Sequence, residues 1–168
     1  PFQGNLQSFR ASWSPDSRYI TYFRSINRNS TAIMLYDTRE SKLTQLTSGF
    51  YADSSPVFSQ DGKYLFYTTN RTFDPIYSDL DNTFVYPNTT NIVVATLHKG
   101  TASLLAVKND AVELEEAKAA EPEEKKKSKK KGKAAEAVTA PAIDLVGFEE
   151  RAEMLDIDAG NLGQLTAV

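Results

Sequence analysis

One histidine, His98, is the chain's entire supply of imidazole, and there is no cysteine. A single imidazole cannot build a multi-histidine metal site, and without thiols there is neither a thiolate zinc site nor a disulfide framework. Ser-His-Asp catalysis would have to rest on His98 alone. Its string, ATLHKG, places it at the end of an expected strand and before a turn, which reads as a strand-end residue. Asp74, Asp79 and Asp81 cluster in DPIYSDLDNT (74–83). Their spacing departs from the D-x-D-x-D-G pattern of a calcium loop and no glutamate closes it. They read as loop carboxylates that satisfy nearby backbone N–H groups. The run KKKSKKKGK (125–133) follows six glutamates between 113 and 124 and has no interleaved aromatic residue, so it reads as a solvated linker and not as a nucleic-acid arm. Glycine-rich phosphate loops, G-x-S-x-G and H-E-x-x-H are absent. The expectation is no catalytic, cofactor-binding or metal-ligating residue and no cofactor. The side chains left to interact with a partner are aromatic: Phe73, Tyr77 and Phe84, in the loop NRTFDPIYSDLDNTFVYPNTT (70–90).

The elements that carry this loop repeat. WSPDSRYITY (13–22) and FSQDGKYLFY (58–67) share Ser, Asp, Tyr and Tyr at matching positions, with Trp13/Phe58, Arg18/Lys63 and Ile20/Leu65 as conservative pairs. The offset, 58 − 13 = 45 residues, is the spacing of a β-propeller blade. In SPDSR and SQDGK the aspartate can accept from backbone N–H groups two residues on, Pro15 presets its turn, and Gly62 tolerates a positive φ. RYITYF and KYLFYT then run as strands rich in β-branched and aromatic residues. Trp13 and Phe58 are placed to wedge between neighbouring blades. AIMLYD, the turn TRES and KLTQLT supply two more strands, so Trp13 to Gly49 holds the four strands of one blade. In the second copy the 70–90 loop intervenes before NIVVATLH and ASLLAV, expected to be the later strands. A loop of that length inside a compact domain is uncommon and often functional.

Composition changes near Glu113. Residues 113–136 contain seven Glu and eight Lys and only one large aliphatic residue, Leu114. Such a segment cannot bury enough apolar area to offset its ordering entropy and is expected to be disordered. Alternation resumes in IDLVGFEERAEMLDIDAGNLGQLTAV (143–168), where LDIDAGNLGQLTA echoes LYDTRESKLTQLT. The expected fold is all-β: a partial β-propeller of WD40- or TolB-like blades, each of four antiparallel strands, interrupted by a disordered charged linker. Net charge is −3 with 24% charged residues, so no whole-chain charge argues for nucleic acid. No stretch reaches the roughly 18 apolar residues of a membrane span. The chain begins at Pro1 and ends in an apparent strand, so an internal segment of a longer protein is expected.

ASWSPDSRYITY (11–22), LTQLTSGFYADSSPVFSQDGKYLFYTTNRTFDPIYSDLDNTFVYPNTT (43–90) and IDLVGFEERAEMLDIDAGN (143–161) together resemble the N-terminal propeller region of tricorn-type proteases. The run TSGFYADSSPVFSQDGKYLFY, followed by R-x-F-x-P-x-Y-S-D-x-D, is far more specific than the blade stamp, which also fits TolB-like and prolyl-oligopeptidase-like propellers. The resemblance implies a large serine peptidase that forms homo-oligomers. Such proteins carry a six-bladed and a seven-bladed propeller that channel and filter peptide substrates, a PDZ-like domain and a downstream peptidase domain. Residues 1–112 would be the last blades of the first propeller, 113–140 an inserted linker, and 141–168 the first strands of the second. The segment would be non-catalytic, and no catalytic residue carries over to it. Phe73, Tyr77 and Phe84 would then shape a substrate path. The resemblance implies a cytoplasmic parent, with a periplasmic or secreted one as the alternative. The generic stamp alone fits a different function, a TolB-like binding propeller that docks a protein partner and has no enzyme activity.

Overall fold

A computed structural model of the chain describes residues 9–28, 30–72, 76–80, 83–85, 89–106, 142–160, 162 and 165–167. Two four-stranded antiparallel sheets and a two-stranded ribbon make up its regular structure. The first sheet takes β1 (Ala11–Trp13), β2 (Tyr19–Ser25), β3 (Thr31–Asp37) and β4 (Lys42–Gln45) in chain order. The second takes β5 (Ser54–Phe58), β6 (Tyr64–Thr69), β9 (Asn91–Thr96) and β10 (Ala152–Met154). Between β6 and β9, β7 (Ile76–Ser78) pairs with β8 (Thr83–Val85) as a separate hairpin. This is the all-β, antiparallel blade architecture of a partial propeller.

The repeated stamp folds identically in both copies. Ser14 Oγ donates to Asp16 Oδ1 (2.5 Å), the Arg18 N–H donates to the same oxygen (3.2 Å), and the Tyr19 N–H donates to Ser14 Oγ (2.8 Å). In the second copy Ser59 Oγ donates to Asp61 Oδ1 (2.6 Å), Lys63 N–H to the same oxygen (3.1 Å), and Tyr64 N–H to Ser59 Oγ (2.9 Å). Each serine and aspartate therefore satisfies the backbone donors that a tight turn leaves unpaired. Ser17 (φ 57°) and Gly62 (φ 69°) occupy the same left-handed position. The Ser59 hydroxyl, ahead of the backbone donor, holds the Asp61 carboxyl below its usual range.

The core lies between the two sheets. Tyr19, Ile33, Leu35 and Leu46 of the first blade meet Phe58, Leu65, Tyr67, Val93, Ala95 and Leu97 of the second. The inner strands touch directly, the Phe58 N–H donating to Ser12 Oγ at 3.2 Å. Equivalent positions in the two stamps have different surroundings. Phe58 is 3% exposed and Trp13 is 55% exposed. Phe58 acts as the wedge because the first blade covers it. Trp13 instead lines an open groove with Pro15, Val57, Gln60 and Leu165.

One expectation about the strands needs correction. ASLLAV does not form the fourth strand of the second blade: residues 102–106 run through turns, and Leu104 and Leu105 are exposed. Ser103 Oγ accepts the Leu105 N–H in a local turn, which takes that donor out of any strand ladder. The fourth strand is β10, whose residues Ala152, Glu153 and Met154 pair with Ala95, Val94 and Val93. Ala152–Met154 thus close the second blade's sheet, and Ile143 and Phe148 join its core. Among the described residues of LDIDAGNLGQLTA there is a bend at Asp156 and Ile157 and a bridge between Thr90 and Gly160. The charged segment expected at 113–140 lies outside the described residues.

Arg151 fastens this returning segment. Its guanidinium donates to the carbonyls of Thr96 (3.1 Å), Val146 (2.9 Å), Gly147 (2.9 Å) and Asp144. Hydrogen bonds from a charged donor contribute about 1.5–3 kcal/mol each, and they are not additive. Arg151→Met, which keeps the apolar stem, is expected to lower unfolding free energy by about 2–3 kcal/mol in a urea titration. An unchanged midpoint would show the network idle. Gly62→Ala tests the turn: the new Cβ would meet nothing closer than Pro15 Cγ at 3.8 Å, so only backbone strain remains, and the expected cost is about 1–2 kcal/mol.

Candidate functional site

The hairpin collects two of the three aromatic candidates. Tyr77 and Phe84 are cross-strand partners whose rings meet edge-to-face with centroids 5.8 Å apart. Phe73 lies outside the described residues. Edge-to-face pairs of this kind contribute roughly 0.5–1.5 kcal/mol beyond area burial, which helps a two-stranded ribbon that would be marginal alone. Ile76, Tyr77, Phe84 and Val85 are all exposed, and Leu80 at the tip is 97% exposed. Among its described residues the loop expected at 70–90 thus contains a hairpin with exposed apolar side chains. Asp79 sits in its turn, and among the described residues no group of acidic or histidine ligands could hold a metal ion. His98 is a turn residue, its carbonyl accepting the Thr101 N–H at 3.0 Å.

A second feature, not foreseen from sequence, lies in the seam between the blades. Ser54 pairs with Thr68 across β5 and β6, their hydroxyls 2.8 Å apart. Carrying that register one residue further sets Asp53 opposite Thr69, and Ala52 N–H does bond to Asn70 Oδ1 (2.8 Å). Tyr67, Thr69 and Arg71 follow at two-residue spacing, so the chain aims them at one face, the face covered by the first blade. Asp53 is 1% exposed and Thr69 1% exposed. Among the described residues, neither Asp53 oxygen, nor Thr69 Oγ1, nor Arg71 Nε has a hydrogen-bond partner. Arg71 is otherwise engaged: Nη2 donates to the Tyr67 hydroxyl at 3.2 Å, and the guanidinium stacks 5.0 Å from the Tyr51 ring centre.

The electrostatics follow from burial. Removal from water pushes the Asp53 carboxyl above its ordinary range. The nearby Thr69 and Thr47 hydroxyls and the Arg71 guanidinium offset part of this, while Glu149 adds to it. Burial likewise raises the Tyr67 phenol. Glu149 is held at the rim, where Oε1 accepts from Ser48 N–H (2.7 Å) and Ser48 Oγ (3.0 Å). The signal missed in the sequence was an aspartate inside YADSSPVF, directly preceding a core strand. Its partners come from another strand and another blade, which spacing does not reveal.

A carboxyl whose folded value is raised binds its proton more tightly in the folded state. Stability therefore falls as pH rises from the ordinary unfolded carboxylate value, about 3.9, through the folded one. Asp53→Asn mimics the neutral acid. The variant is expected to gain stability over the parent at pH 7 and to lose that advantage near pH 4, as read from paired urea titrations. A pH-independent difference would show that burial does not raise the Asp53 carboxyl.

The arrangement contains no nucleophile–base–orienter set among the described residues, and comparisons with known proteins give it context. No family model matches the chain. The "Tricorn protease" of Thermoplasma volcanium is 33% identical over 96 residues, 54% of this chain and 9% of that protein. "Tricorn protease homolog 1" of Streptomyces coelicolor is 30% identical over 67 residues, 40% of this chain and 6% of that protein. "Putative tricorn protease homolog 2" of the same organism is 36% identical over 69 residues, 39% and 6% respectively. The matches thus span less than a tenth of each curated relative. Among solved structures, one titled "Crystal structure of the tricorn protease" superposes with a TM-score of 0.66 at 19% identity, covering 92% of this chain and 13% of that one. At that identity the superposition shows the fold. The sequence matches point the same way: this chain is similar to part of the tricorn proteases.

Proposed function

We propose that this chain is a non-catalytic propeller segment of a tricorn-like serine peptidase, and that it helps gate or channel peptide substrates toward a downstream peptidase domain. The similarity to tricorn proteases over 96 residues carries the reading. The projecting hairpin supports the gating role, because Tyr77, Phe84 and Leu80 offer rigid apolar contacts to passing chain without any chemistry of their own. Peptides are the substrates of the parent protein on this reading. The parent assembles as a homo-oligomer and works in the cytoplasm. Among the described residues no helix is long and apolar enough to cross a membrane, which is compatible with that placement.

The test uses the full-length parent. Tyr77→Ala with Phe84→Ala is expected to lower kcat/KM for peptides of ten or more residues by about fivefold, the weight of roughly 1 kcal/mol of lost contact. Hydrolysis of a short chromogenic peptide is expected to stay unchanged, since it needs no guided entry. Equal turnover of long peptides by variant and parent would remove the hairpin from the substrate path. A parent with no peptidase activity at all would overturn the protease reading and favour a binding propeller.

A further inference from the structure

Both faces of the β7–β8 hairpin are apolar and exposed. The register sets Tyr77 beside Phe84 and Ile76 beside Val85, and successive residues of a strand point to opposite faces. One face therefore carries the aromatic pair and the other the aliphatic pair. All four side chains are between 48% and 58% exposed, so the blades seal neither face. The edges of the ribbon are open as well. Among the described residues β7 and β8 pair with each other and with no further strand. Each strand thus keeps one edge whose backbone groups are directed away from the ribbon. Neither strand contains the lysine or proline that commonly blunts an exposed edge. A two-stranded ribbon is marginal in water, and a third strand stabilises it.

Charge selects the occupant. The stretch 72–97 holds Asp74, Asp79 and Asp81 and no lysine, arginine or histidine. Arg71, the last base before it, is turned to the Tyr67 hydroxyl and the Tyr51 ring. The hairpin therefore carries an uncompensated negative charge, with Asp79 in its turn. We propose that β7–β8 takes up an extended, cationic peptide by strand addition. The peptide pairs with an open edge through its backbone, and its alternate side chains lie over the aromatic and the aliphatic face. Its lysine or arginine residues meet the negative charge of the hairpin. Main-chain hydrogen bonds then supply affinity without demanding one sequence, which suits a gate that passes varied peptides. This inference deepens the gating reading and takes the peptide nature of the occupant from it.

The test measures binding and not turnover. The full-length parent is treated with an irreversible serine-directed inhibitor, and a fluorescein-labelled octapeptide of alternating lysine and valine is titrated by anisotropy. Tyr77→Ala with Phe84→Ala is expected to weaken binding about fivefold. The same peptide methylated on every backbone nitrogen is expected to bind at least about tenfold more weakly. Methylation of alternate nitrogens leaves one hydrogen-bonding edge intact and is expected to cost less than about threefold. An alternating glutamate–valine peptide is expected to bind about tenfold more weakly at low salt, with the gap closing above about 0.5 M. No loss on full methylation, or an equal loss on alternate methylation, would overturn strand addition. Equal binding of the lysine and glutamate peptides would overturn the cationic preference. A double variant that binds as the parent does would place the peptide elsewhere and overturn the site. If strand addition holds while long-peptide turnover is unchanged in the double variant, gating fails and this inference stands.

Discussion

A blade is a sheet with two faces, and one of them stays dry only if another blade lies against it. That requirement organises this chain. Leu65, Tyr67, Val93 and Phe58 turn toward the first blade and are almost fully buried, and Ile33 and Leu35 answer them from the other side. At roughly 25 cal/mol for each Å² of apolar surface removed from water, this shared face outweighs any single turn or ion pair. It also explains why identical sequence positions end differently. Tyr67 is buried in the seam, while its repeat counterpart Tyr22 packs against Phe9, ring centres 5.6 Å apart.

The turns serve that face by fixing register. Because side chains alternate, a slip of one residue would send the buried set outward. The Ser–Asp turn pins both β-hairpins at the same residue, and the first blade adds a fastening that the second lacks. Arg18 donates through Nε (3.0 Å) and Nη2 (2.7 Å) to Asp37 Oδ2, closing the turn onto the end of β3. The Arg18 pairing, first of all, holds the Asp37 carboxyl below its usual range. In the second blade Lys63 occupies that position. The returning segment takes over, its Asp144 carboxylate accepting the Lys99 N–H at 2.9 Å and Arg151 gathering carbonyls across the sheet edge. A blade whose last strand arrives more than fifty residues after the third needs such a clasp, since chain connectivity contributes little to its closure.

Polar and apolar groups divide the functional labour. The hairpin carries apolar surface outward, and the seam buries Asp53 and Thr69 between the blades. The two blades share their buried face, and the hairpin keeps its apolar side chains outside it.

The sequence by itself determined the repeat. The matched Ser, Asp and Tyr positions 45 residues apart and the alternating strands are local properties, written in turn chemistry and side-chain period. The same is true of the aromatic loop, whose Tyr77 and Phe84 stand out by residue type, while the meeting of their rings needs the hairpin. Tertiary structure decided everything that depends on a distant partner. It made Phe58 a wedge and left Trp13 at a groove, because burial belongs to the neighbouring sheet and not to the residue. It chose β10 over ASLLAV as the closing strand, because an edge accepts whichever segment can also fill the core, here with Ile143 and Phe148. It set Asp53 opposite Thr69 and near Arg71, because a strand register and a blade contact together place side chains that no spacing along the chain relates.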